Sequence, residues 1–538
     1  MAQVYPYVVE FNDYYNTNFD LISAISFDGD FDEIDTGELL DQVYTERPNG
    51  TRIVYGTKYN DVLELTITLI KANYEYFTKD EIRTVLKWLG GIKKPSWLKL
   101  YDVEYEEVAE YYGSFTQIQQ KTSDSQTIGF IATFTSAYPH GFSPIRYVEQ
   151  VYTGQEVIIL EQDGDETEEY VRPYMAIIPE NEDIKEMTIT NQDTEDIIKI
   201  KNIKKGEELT IDCENKIIYS NDEYRVIGPD FYGIIDGQTT DYPVWLQLAP
   251  GDNRLQLNPG SDTCKVKYIF KYRYPLKVGG TYWERKWLYL ELPKNLLSGL
   301  HVAPDFYLCE SDKTLIGGIN VTEKSGTFKF NTYSEITCQF HRLYTHPVTG
   351  KSMVHPLYDK VQALRVLYIV GFGYCQIQQA SINTDGVDEY KDIVAYSLEY
   401  EMTQKYLDDF VINMGTDKSV DGVQLYNVDD TSKSLIHLVL EKMPGWKPGH
   451  IDESLVKLQR SFEVDRQTIY DFIMNDMSDT FKLVAIFDTY HRTVNLYEED
   501  KAGKETNIYV ALDTLASNAQ INYSADDIKT CLYVYGAD

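Results

Sequence analysis

Two short stretches of this sequence have residue types that could bind an ion or a phosphate group. The acidic run from Asp28 to Glu33 resembles a calcium loop, but an EF-hand needs Gly at its sixth position and Glu at its twelfth. The chain has Glu33 and Leu39 there. The run Gly350-Lys351-Ser352 ends like a phosphate-binding loop, but Thr345 stands where that pattern requires Gly. We interpret the first stretch as a solvated acidic loop and reject the second.

The remaining candidates for catalysis or metal binding are equally short of a pattern. His341, His346 and His355 fall within one segment and could ligate zinc, but their spacing matches no standard site. They are better interpreted as loop or surface histidines. There is no Gly-x-Ser-x-Gly nucleophile motif, and acidic pairs such as Glu498-Glu499 are common among 85 carboxylates. The sequence therefore predicts no catalytic, cofactor-binding or metal-ligating residues, no cofactor, and a protein that is not an enzyme.

The net charge of −35, from 50 Lys and Arg against 85 Asp and Glu, limits the partners of the chain. Such a surface is repelled by nucleic acid and by anionic membranes. The nearest basic run, Lys201 to Lys205, is brief and lies next to Glu207, so a solvated turn is the better interpretation. An acidic or neutral wall could still guide DNA, because it avoids the phosphate contacts that give affinity.

Length, cysteine usage and hydropathy set further limits. A chain of 538 residues predicts three or four domains. The first residues lack a charged region followed by an apolar one, so we expect no signal peptide. The longest apolar run, Val366 to Tyr374, is too short to span a bilayer, so we expect no membrane segment. The cysteines show no regular spacing and are expected to be buried free thiols; they are Cys213, Cys264, Cys309, Cys338, Cys375 and Cys531.

Residues 1–145 carry strand patterns around one helix. Alternation of apolar and polar residues over Leu65–Leu69 and Ile128–Phe134 predicts half-buried strands. Between them, Asp80–Leu89 has the apolar spacing of an amphipathic helix, which Gly90 and Gly91 end. This order resembles the N-terminal domain of phage distal tail proteins, the Dit family. The matching features are the start Phe11–Leu21, the helix end Trp88-Leu89, the strand Leu98–Asp102 and the turn Tyr138-Pro139.

Residues 146–275 carry no convincing helix. Apolar residues alternate over Leu209–Cys213 and Cys264–Phe270, with turn residues between short strands, which is typical of a β-sandwich. The string LTIDCENKIIYS followed by LAPGDNRLQL resembles the galectin-like C-terminal domain of Dit. The segment Ser220–Tyr242 is longer than that pattern needs and is predicted to be an inserted loop.

Residues 276–538 begin with strand patterns. Phe306–Val321 predicts a hairpin with Lys313-Thr314 at its turn. Alternation over Thr327–Phe340 and Val394–Met402 predicts further strands. Leu435, Leu438 and Val439 predict a helix ahead of the most informative stretch, Pro444–Glu499.

The stretch Pro444–Glu499 predicts a turn, a helix and a hairpin in that order. Asp465 is predicted to be the helix N-cap, and the hairpin arms are Leu483–Phe487 and Val494–Tyr497. The turn residues are Pro444, Gly445, Pro448 and Gly449, and the apolar face of the helix is Ile469, Phe472, Ile473 and Met477. Trp446, Phe472 and Phe487 are interpreted as core and interface anchors.

The amino-acid sequence of this stretch resembles the hub region of phage tail-associated proteins, known as Tal or the prophage endopeptidase tail family. The matching strings are PGWKPGHID, SFEVDRQTIYDF and FDTYHRTVNLYE. Together the resemblances imply a mainly β chain with a few helices, in three domains. These would be a tail-tube-like β-barrel with one helix over 1–145, a galectin-like sandwich over 146–275, and a hub with tube-type β-barrels over 276–538.

The resemblances imply a structural protein of the phage tail tip that joins the tail tube to the hub and forms part of the DNA channel. Expected partners are other copies of itself, the tail tube protein, the tape measure protein and tail fibre or receptor-binding proteins, with DNA passing unbound. We expect location in the virion tail tip after assembly in the host cytoplasm, and a trimer rather than a hexamer. Channel-facing surfaces should be acidic or neutral, with Lys and Arg at contacts between subunits. Beyond a strand like Thr530–Tyr535 the family normally continues, so we expect a longer chain or a tip built by another protein.

An alternative from another class uses the tyrosines, of which the chain has 45. Exposed aromatic rings serve as stacking platforms for sugars, and large assemblies also favour Tyr at interfaces. Most of these tyrosines alternate within predicted strands, which favours core and interface positions. The alternative function is carbohydrate binding in host adsorption by residues 146–275.

Overall fold

Most of the described chain is antiparallel β-sheet, as the alternating sequence patterns predict, and the mainly β fold class is confirmed. The structure is a computed structural model. It describes residues 8–27, 40–46, 52–59, 62–91, 94–102, 105–165, 170–222, 225, 228–235, 238–240, 242–276, 305–327, 332–384, 386, 388–412 and 423–499.

The first part of the chain forms one large sheet with a single helix. Its path runs β2-β1-β7-β8-β9-β6-β3, and β10 joins beside β8. The strands are β1 (Val8–Phe11), β2 (Tyr14–Tyr15), β3 (Leu21–Phe27), β4 (Leu40–Glu46), β5 (Arg52–Tyr59), β6 (Glu64–Lys71), β7 (Ser96–Tyr101), β8 (Glu107–Ser123), β9 (Gln126–Ser136) and β10 (Gly141–Phe142). β4 and β5 pair with each other and belong to a separate compact unit of the chain.

The predicted helix is confirmed as α1 (Lys79–Gly90). Thr78 caps it, because its Oγ1 accepts from the Glu81 backbone N–H while the Glu81 carboxylate accepts from the Thr78 N–H. Val85 and Leu89 are buried, as the apolar stripe predicts. Gly91 follows the helix with right-handed φ of −77°, so no left-handed cap ends it.

The expected tail-tube-like barrel is an open sheet in the described residues, because β3 pairs with neither β1 nor β2. Asn16 explains the gap. Its buried side chain accepts from the Val9 N–H at 2.9 Å and donates to the Leu21 carbonyl at 2.7 Å, so an amide group links β1 to β3 where a ladder would close a barrel.

The second part consists of two antiparallel sheets whose inner faces share one core. Their orders are β11-β21-β13-β16-β17 and β12-β20-β14-β15-β18-β19. The strands are β11 (Arg146–Thr153), β12 (Glu156–Gln162), β13 (Tyr174–Pro179), β14 (Ile184–Asn191), β15 (Ile197–Ile203), β16 (Leu209–Asp212), β17 (Ile217–Ser220), β18 (Phe231–Ile235), β19 (Gln238–Thr239), β20 (Gly251–Asn258) and β21 (Lys265–Tyr272). The loop predicted over Ser220–Tyr242 instead contributes β18, which pairs with β15.

Both connections of this two-sheet part return to the first sheet side by side. β22 (Pro275–Leu276) pairs with β10 just after the sandwich-like sheets end. The strand leading in and the strand leading out are thus hydrogen-bonded to each other. The division of domains at residues 145 and 275 stays a prediction.

The third part is built on a rolled sheet with the order β24-β23-β29-β30-β31-β26-β25. Its edge strands β24 and β25 are separated by Asn320 and Val321 alone, so the sheet curls until its edges approach each other. It remains open in the described residues and does not form the expected closed tube-type barrel. The strands are β23 (Phe306–Cys309), β24 (Leu315–Ile319), β25 (Thr322–Thr327), β26 (Glu335–His341), β27 (Leu343–Thr345), β28 (Ser352–Val354), β29 (Val366–Ile369), β30 (Gly373–Thr384) and β31 (Glu389–Ser397).

One prediction for this sheet is confirmed, and another gave a strand that is too long. The hairpin Phe306–Val321 is confirmed, and Lys313 takes φ of +74° at its turn. The strand predicted over Val394–Met402 ends at Ser397, and Leu398–Gln404 is a 3-10 helix. Leu398 and Met402 are both buried; a four-residue spacing fits helical packing as well as alternation, which misled the prediction.

The last described part surrounds a short helical run. β32 (Tyr406–Ile412) pairs with β34 (Phe462–Thr468), and β36 (Thr493–Glu498) lies between β35 (Leu483–Asp488) and β33 (Lys447–Ile451). The predicted helix near Leu435 is confirmed as α2 (Leu435–Leu440), and the β35–β36 hairpin is also confirmed. The remaining helical segments are α3 (Glu453–Val456), α4 (Ile469–Asp471), a π-helical stretch Phe472–Met477 and α5 (Ser478–Phe481).

The predicted N-cap Asp465 is wrong, because it lies inside β34 and the helix begins later. Thr468 is the cap, and its Oγ1 accepts from the Asp471 N–H at 3.0 Å. Pro448 and Gly449, predicted in a turn, lie in β33, where Pro448 pairs with β36. The predicted apolar face of the helix, Ile469 to Met477, is buried as expected.

Candidate assembly site

One half of an outer sheet face carries almost no charge. This surface, the open face, comprises outward residues of β3, β6, β9 and the distal half of β8: Ile22, Ala24, Glu64, Thr66, Thr68, Ile70, Gly129, Ile131, Thr133, Thr135, Ser114, Thr116, Gln117, Gln119 and Lys121. Apart from Gly129 they are half-buried or exposed. The charged members, Glu64 and Lys121, lie at opposite ends of the paired strands.

The order of the open face comes from its own hydroxyl contacts and register. The Thr116 and Thr135 hydroxyls lie 2.8 Å apart, and Thr135 donates to the Glu64 carboxylate at 3.2 Å. β8 and β9 continue past β6 as a two-stranded ribbon that turns at Asp124 and Ser125, both with positive φ. The arrangement is a neutral, hydroxyl-rich sheet surface with a two-stranded ribbon at one end, which suits contact with another surface better than chemistry.

The other half of the same outer face is covered by the docking hairpin, residues Leu343–Val354, which contains β27 and β28. Tyr112 of β8 donates to the Gly350 carbonyl at 3.3 Å. Gly350 has φ of +64°, and an added Cβ would lie 2.2 Å from the Trp97 ring nitrogen, so only glycine fits. Asn215 of the two-sheet part donates to the Thr345 carbonyl at 3.1 Å. The hairpin therefore contacts both preceding parts of the chain.

Arg273 is the centre of this joint. Its buried guanidinium pairs with Glu110 and donates to the carbonyls of Pro347 at 2.6 Å and Val348 at 3.3 Å. Its Cζ also lies 4.3 Å from the centroid of the Trp97 ring. One cation thus holds β8, β7 and the docking hairpin together.

Two carboxylates meet beneath Arg273. Lys99 Nζ lies 3.7 Å from Glu110 Oε1 and 3.8 Å from Glu107 Oε2. Burial, followed by the hydrogen bond and the charge of Glu110, raises the pKa of Glu107 to about 8. Near neutral pH Glu107 is therefore mostly protonated, which limits repulsion inside the joint.

A second joint links the two-sheet part to the rolled sheet. The Trp245 indole donates to the Tyr307 hydroxyl at 2.9 Å, and Tyr307 donates to the Pro243 carbonyl at 2.7 Å. Lys216 pairs with Asp305 in a largely buried position. A Cβ on Gly318 of β24 would lie 2.8 Å from the Lys216 Cβ, so the two backbones approach closely.

The histidines considered for zinc are not brought together. His341 contacts Asp388, with Nδ1 to Oδ2 at 2.9 Å. His346 Nδ1 accepts from Val348 N–H in the docking hairpin, and buried His355 accepts from Leu357 N–H. Burial lowers the pKa of His355 to about 4. Within the described ranges, no group of three or more His, Cys, Asp or Glu side chains is placed to hold a metal ion.

The other residues singled out in the sequence fall into structural roles. Trp446 and Phe472 are buried, and Phe487 is partly buried against the core, with Trp446 and Phe487 in edge-to-face contact at 6.0 Å. Gly350 belongs to the docking hairpin. Five cysteines are buried and free, as predicted. The acidic run from Asp28 to Glu33, Cys531 and the strand Thr530–Tyr535 lie outside the described residues.

Two matches to known protein families fall in the first half of the chain. Residues 8–137 match a phage tail protein N-terminal domain, and residues 140–269 match a phage tail C-terminal domain. Together these two stretches, which make up just under half of the chain, are similar to domains of phage tail proteins.

Individual relatives are more distant from this chain. An uncharacterized SPbeta prophage-derived protein of Bacillus subtilis strain 168, YomG, is 28% identical over 109 residues. That match spans 20% of this chain and 12% of the length of YomG. The described residues include no helix long and apolar enough to cross a membrane.

Three solved structures are similar to parts of the chain at low identity. The Dit protein of phage SPP1 has a TM-score of 0.34 and 11% identity, covering 50% of this chain and 99% of that one. A phage P2 baseplate chain has a TM-score of 0.28 and 10% identity, covering 50% and 98%. A prophage tail protein from Listeria monocytogenes has a TM-score of 0.27 and 14% identity, covering 38% and 54%. These TM-scores are too low to show a common fold.

Sequence reasoning missed the residues of both joints. Arg273 and Glu110 are 163 positions apart, and Tyr112 and Gly350 are 238 apart, so no local pattern links them. The sequence held one indirect signal. Arg273 stands between two tyrosines in a strand-like run, where an exposed cation is unusual.

Proposed function

We propose that this chain joins the tail tube to the hub at the tip of a phage tail and that its open face lines part of the DNA channel. The observation that supports this most is the neutrality of the open face in a chain of net charge −35. A phosphate backbone gains affinity from Lys and Arg contacts, and each such contact would slow sliding. A hydroxyl-rich neutral wall offers DNA no counter-charge.

The two joints support the connecting role. They fasten the first sheet and the two-sheet part to the rolled sheet through buried ion pairs and carbonyl contacts. A part that has to transmit position from tube to hub needs such fixed geometry. Because one chain carries both the part proposed to form a ring and the part proposed to form the hub, the two parts have equal copy numbers.

Introducing lysines on the open face tests the channel role. Virions whose chain carries Thr66→Lys, Thr68→Lys and Thr133→Lys should assemble tails but eject DNA several-fold more slowly at low salt, because the new cations bind phosphates. Added salt should restore the rate through screening. The matched control carries Gln at the same three positions. Wild-type ejection by the lysine virions at low salt would contradict the channel role.

The copy number follows from symmetry. We propose three chains around the tail axis, because closed rings need matching interfaces and three chains with paired hub elements can meet a six-fold tube. Native mass measurement of the isolated tip, or particle images along the axis, should give three copies. Six copies would refute the trimer and leave the channel role standing.

The second candidate function is carbohydrate binding in host adsorption by residues 146–275. One observation favours it: Tyr147 and Tyr219 are 53% and 39% exposed on strands of the same five-stranded sheet. Exposed rings of this kind can stack on sugars. Saturable glycan binding by the full chain that is lost in Tyr147→Ala and Tyr219→Ala would favour this function. Binding that is absent, or unchanged in both variants, would remove it.

A further inference from the structure

A cavity with both polar and apolar lining lies where the two-sheet part meets the rolled sheet. Its volume is about 640 Å³, within the range of roughly 300–1,000 Å³ that small-molecule pockets occupy. The turn between β14 and β15 contributes Asp196, the segment before Leu246 contributes Tyr242 and Val244, and Arg172 and Lys216 complete the polar side. Neither the open face nor the Arg273 joint contributes to it.

The floor of the cavity is held in place by contacts already described. Trp245 and Tyr307 are buried and hydrogen-bonded to each other, and Lys216 is paired with Asp305. The Tyr242 ring packs against two neighbouring rings, with centroids 5.6 Å from Tyr307 and 5.1 Å from Tyr368. A ligand would therefore meet a preformed surface, which lowers the cost of binding.

The Asp196 carboxylate can accept more hydrogen bonds than the two that the fold gives it. Its Oδ2 accepts from the Thr194 hydroxyl at 2.6 Å and from the Gln247 N–H at 3.2 Å. Among the described residues, no Lys, Arg or His nitrogen lies within ion-pair distance of its carboxylate. A half-buried carboxylate that lacks a cation is costly unless further donors reach it. Burial raises its pKa to about 6, so the carboxylate form still predominates at pH 7.

Other lining residues of the cavity supply complementary chemistry. Arg172 offers guanidinium donors, since its contact with Glu214 is long at 3.8 Å and its side chain is 29% exposed. Tyr242, Val244 and Ile197 supply an apolar wall. A ring with one C–H face and hydroxyl groups at its edge would match an apolar wall beside a carboxylate and a guanidinium. A purely apolar ligand would leave both charges unsolvated, and a polyanion would meet Asp196 and Glu195.

We propose that this cavity binds a neutral sugar of one or two rings, with Asp196 accepting from ring hydroxyls, Arg172 donating to them and Tyr242 packing against the ring face. The site is distinct from the exposed tyrosines of the two-sheet part and does not depend on the channel role. Because it lies at the second joint, an occupied cavity also stabilises that joint by mass action.

Titration of the full chain with maltose and with N,N′-diacetylchitobiose, followed by calorimetry and ligand-observed NMR, tests the site. At least one should bind, and Asp196→Asn should weaken it about tenfold to hundredfold, the range for losing a hydrogen bond to a charged group. Gln192→Trp, at an exposed lining position, should block entry. Tyr147→Ala and the exposed Asp252→Asn are controls that should bind like the wild type.

The outcomes separate cleanly. Absence of binding by either disaccharide up to about 10 mM, where only very weak affinity would escape detection, would overturn the proposal. So would binding that survives both Asp196→Asn and Gln192→Trp, or binding that Tyr147→Ala abolishes. Should Asp196→Asn fail to fold, Arg172→Gln supplies the same comparison.

Discussion

Replacing Arg273 with methionine should open the joint at the docking hairpin. The Arg273 and Glu110 side chains are 8% and 1% exposed, so the change leaves a carboxylate buried without its main partner. Removing one member of a buried pair costs about 3–5 kcal/mol. Lys99, 3.7 Å from Glu110, remains as a partial partner. We therefore expect a loss of about 3 kcal/mol, at the lower end of that range.

Hydrogen exchange of the docking hairpin measures this loss locally. A change of about 3 kcal/mol corresponds to roughly a hundredfold loss of protection in residues 343–354 when those amides exchange by opening of the joint. Arg273→Lys is the matched variant, because it keeps the charge and loses the fork that reaches both Pro347 and Val348 carbonyls. It should lose less protection than Arg273→Met.

A double variant isolates the buried charge. Adding Glu110→Gln to Arg273→Met removes the uncompensated carboxylate, so part of the lost protection should return. If the double variant exchanges as fast as Arg273→Met alone, the cost does not come from the carboxylate. Unchanged exchange in Arg273→Met would refute the joint itself.

Three further changes test other parts of the same reasoning. The pKa of Glu107 is raised from 4.5 to about 8, so its contribution to stability is complete below pH 4.5 and is lost as pH rises to about 8; Glu107→Gln should flatten the fall in thermal stability over that range. Gly350→Ala should cost about 2 kcal/mol or more by left-handed strain plus displacement of Trp97, whereas Gly371→Ala, with φ of +80° and open space, should show the strain of about 1–2 kcal/mol alone in denaturant unfolding. Thr78→Ala should cost about 1 kcal/mol by loss of the cap of α1, and faster exchange in the first helical turn would show it.

Local patterns predicted the elements whose packing alternates or follows helical spacing. α1, β6, β9 and the β35–β36 hairpin follow directly, because each buries one face and the period reveals which. The errors arise where two local signals compete. Asp465 is a good cap residue, but it precedes Thr468 by one turn, and β34 continues between them because its partner strand β32 extends that far.

Closure of the sheets could not be predicted from any period. The Asn16 side chain that links β1 to β3 belongs to a single polar residue at the start of a short 3-10 helix, and nothing in its neighbours shows that it replaces a ladder. The joints are hidden for a similar reason. Arg273 donates to the backbone carbonyls of Pro347 and Val348. Every residue has such a carbonyl, so the residue type does not show which one accepts.

The use of cations in this acidic chain connects the joints to the open face. Besides Arg273, Lys313 donates to the Thr489 and Tyr490 carbonyls and Lys391 to those of Tyr358 and Val361. Each of these cations fastens two segments within one chain. Cations held in this way present less charge to solvent, so the outer surface is left more acidic than composition alone indicates. Under the proposed channel role, a neutral open face within such a surface would repel a phosphate backbone less than its acidic surroundings and would give it no attraction, so that DNA would slide without being held.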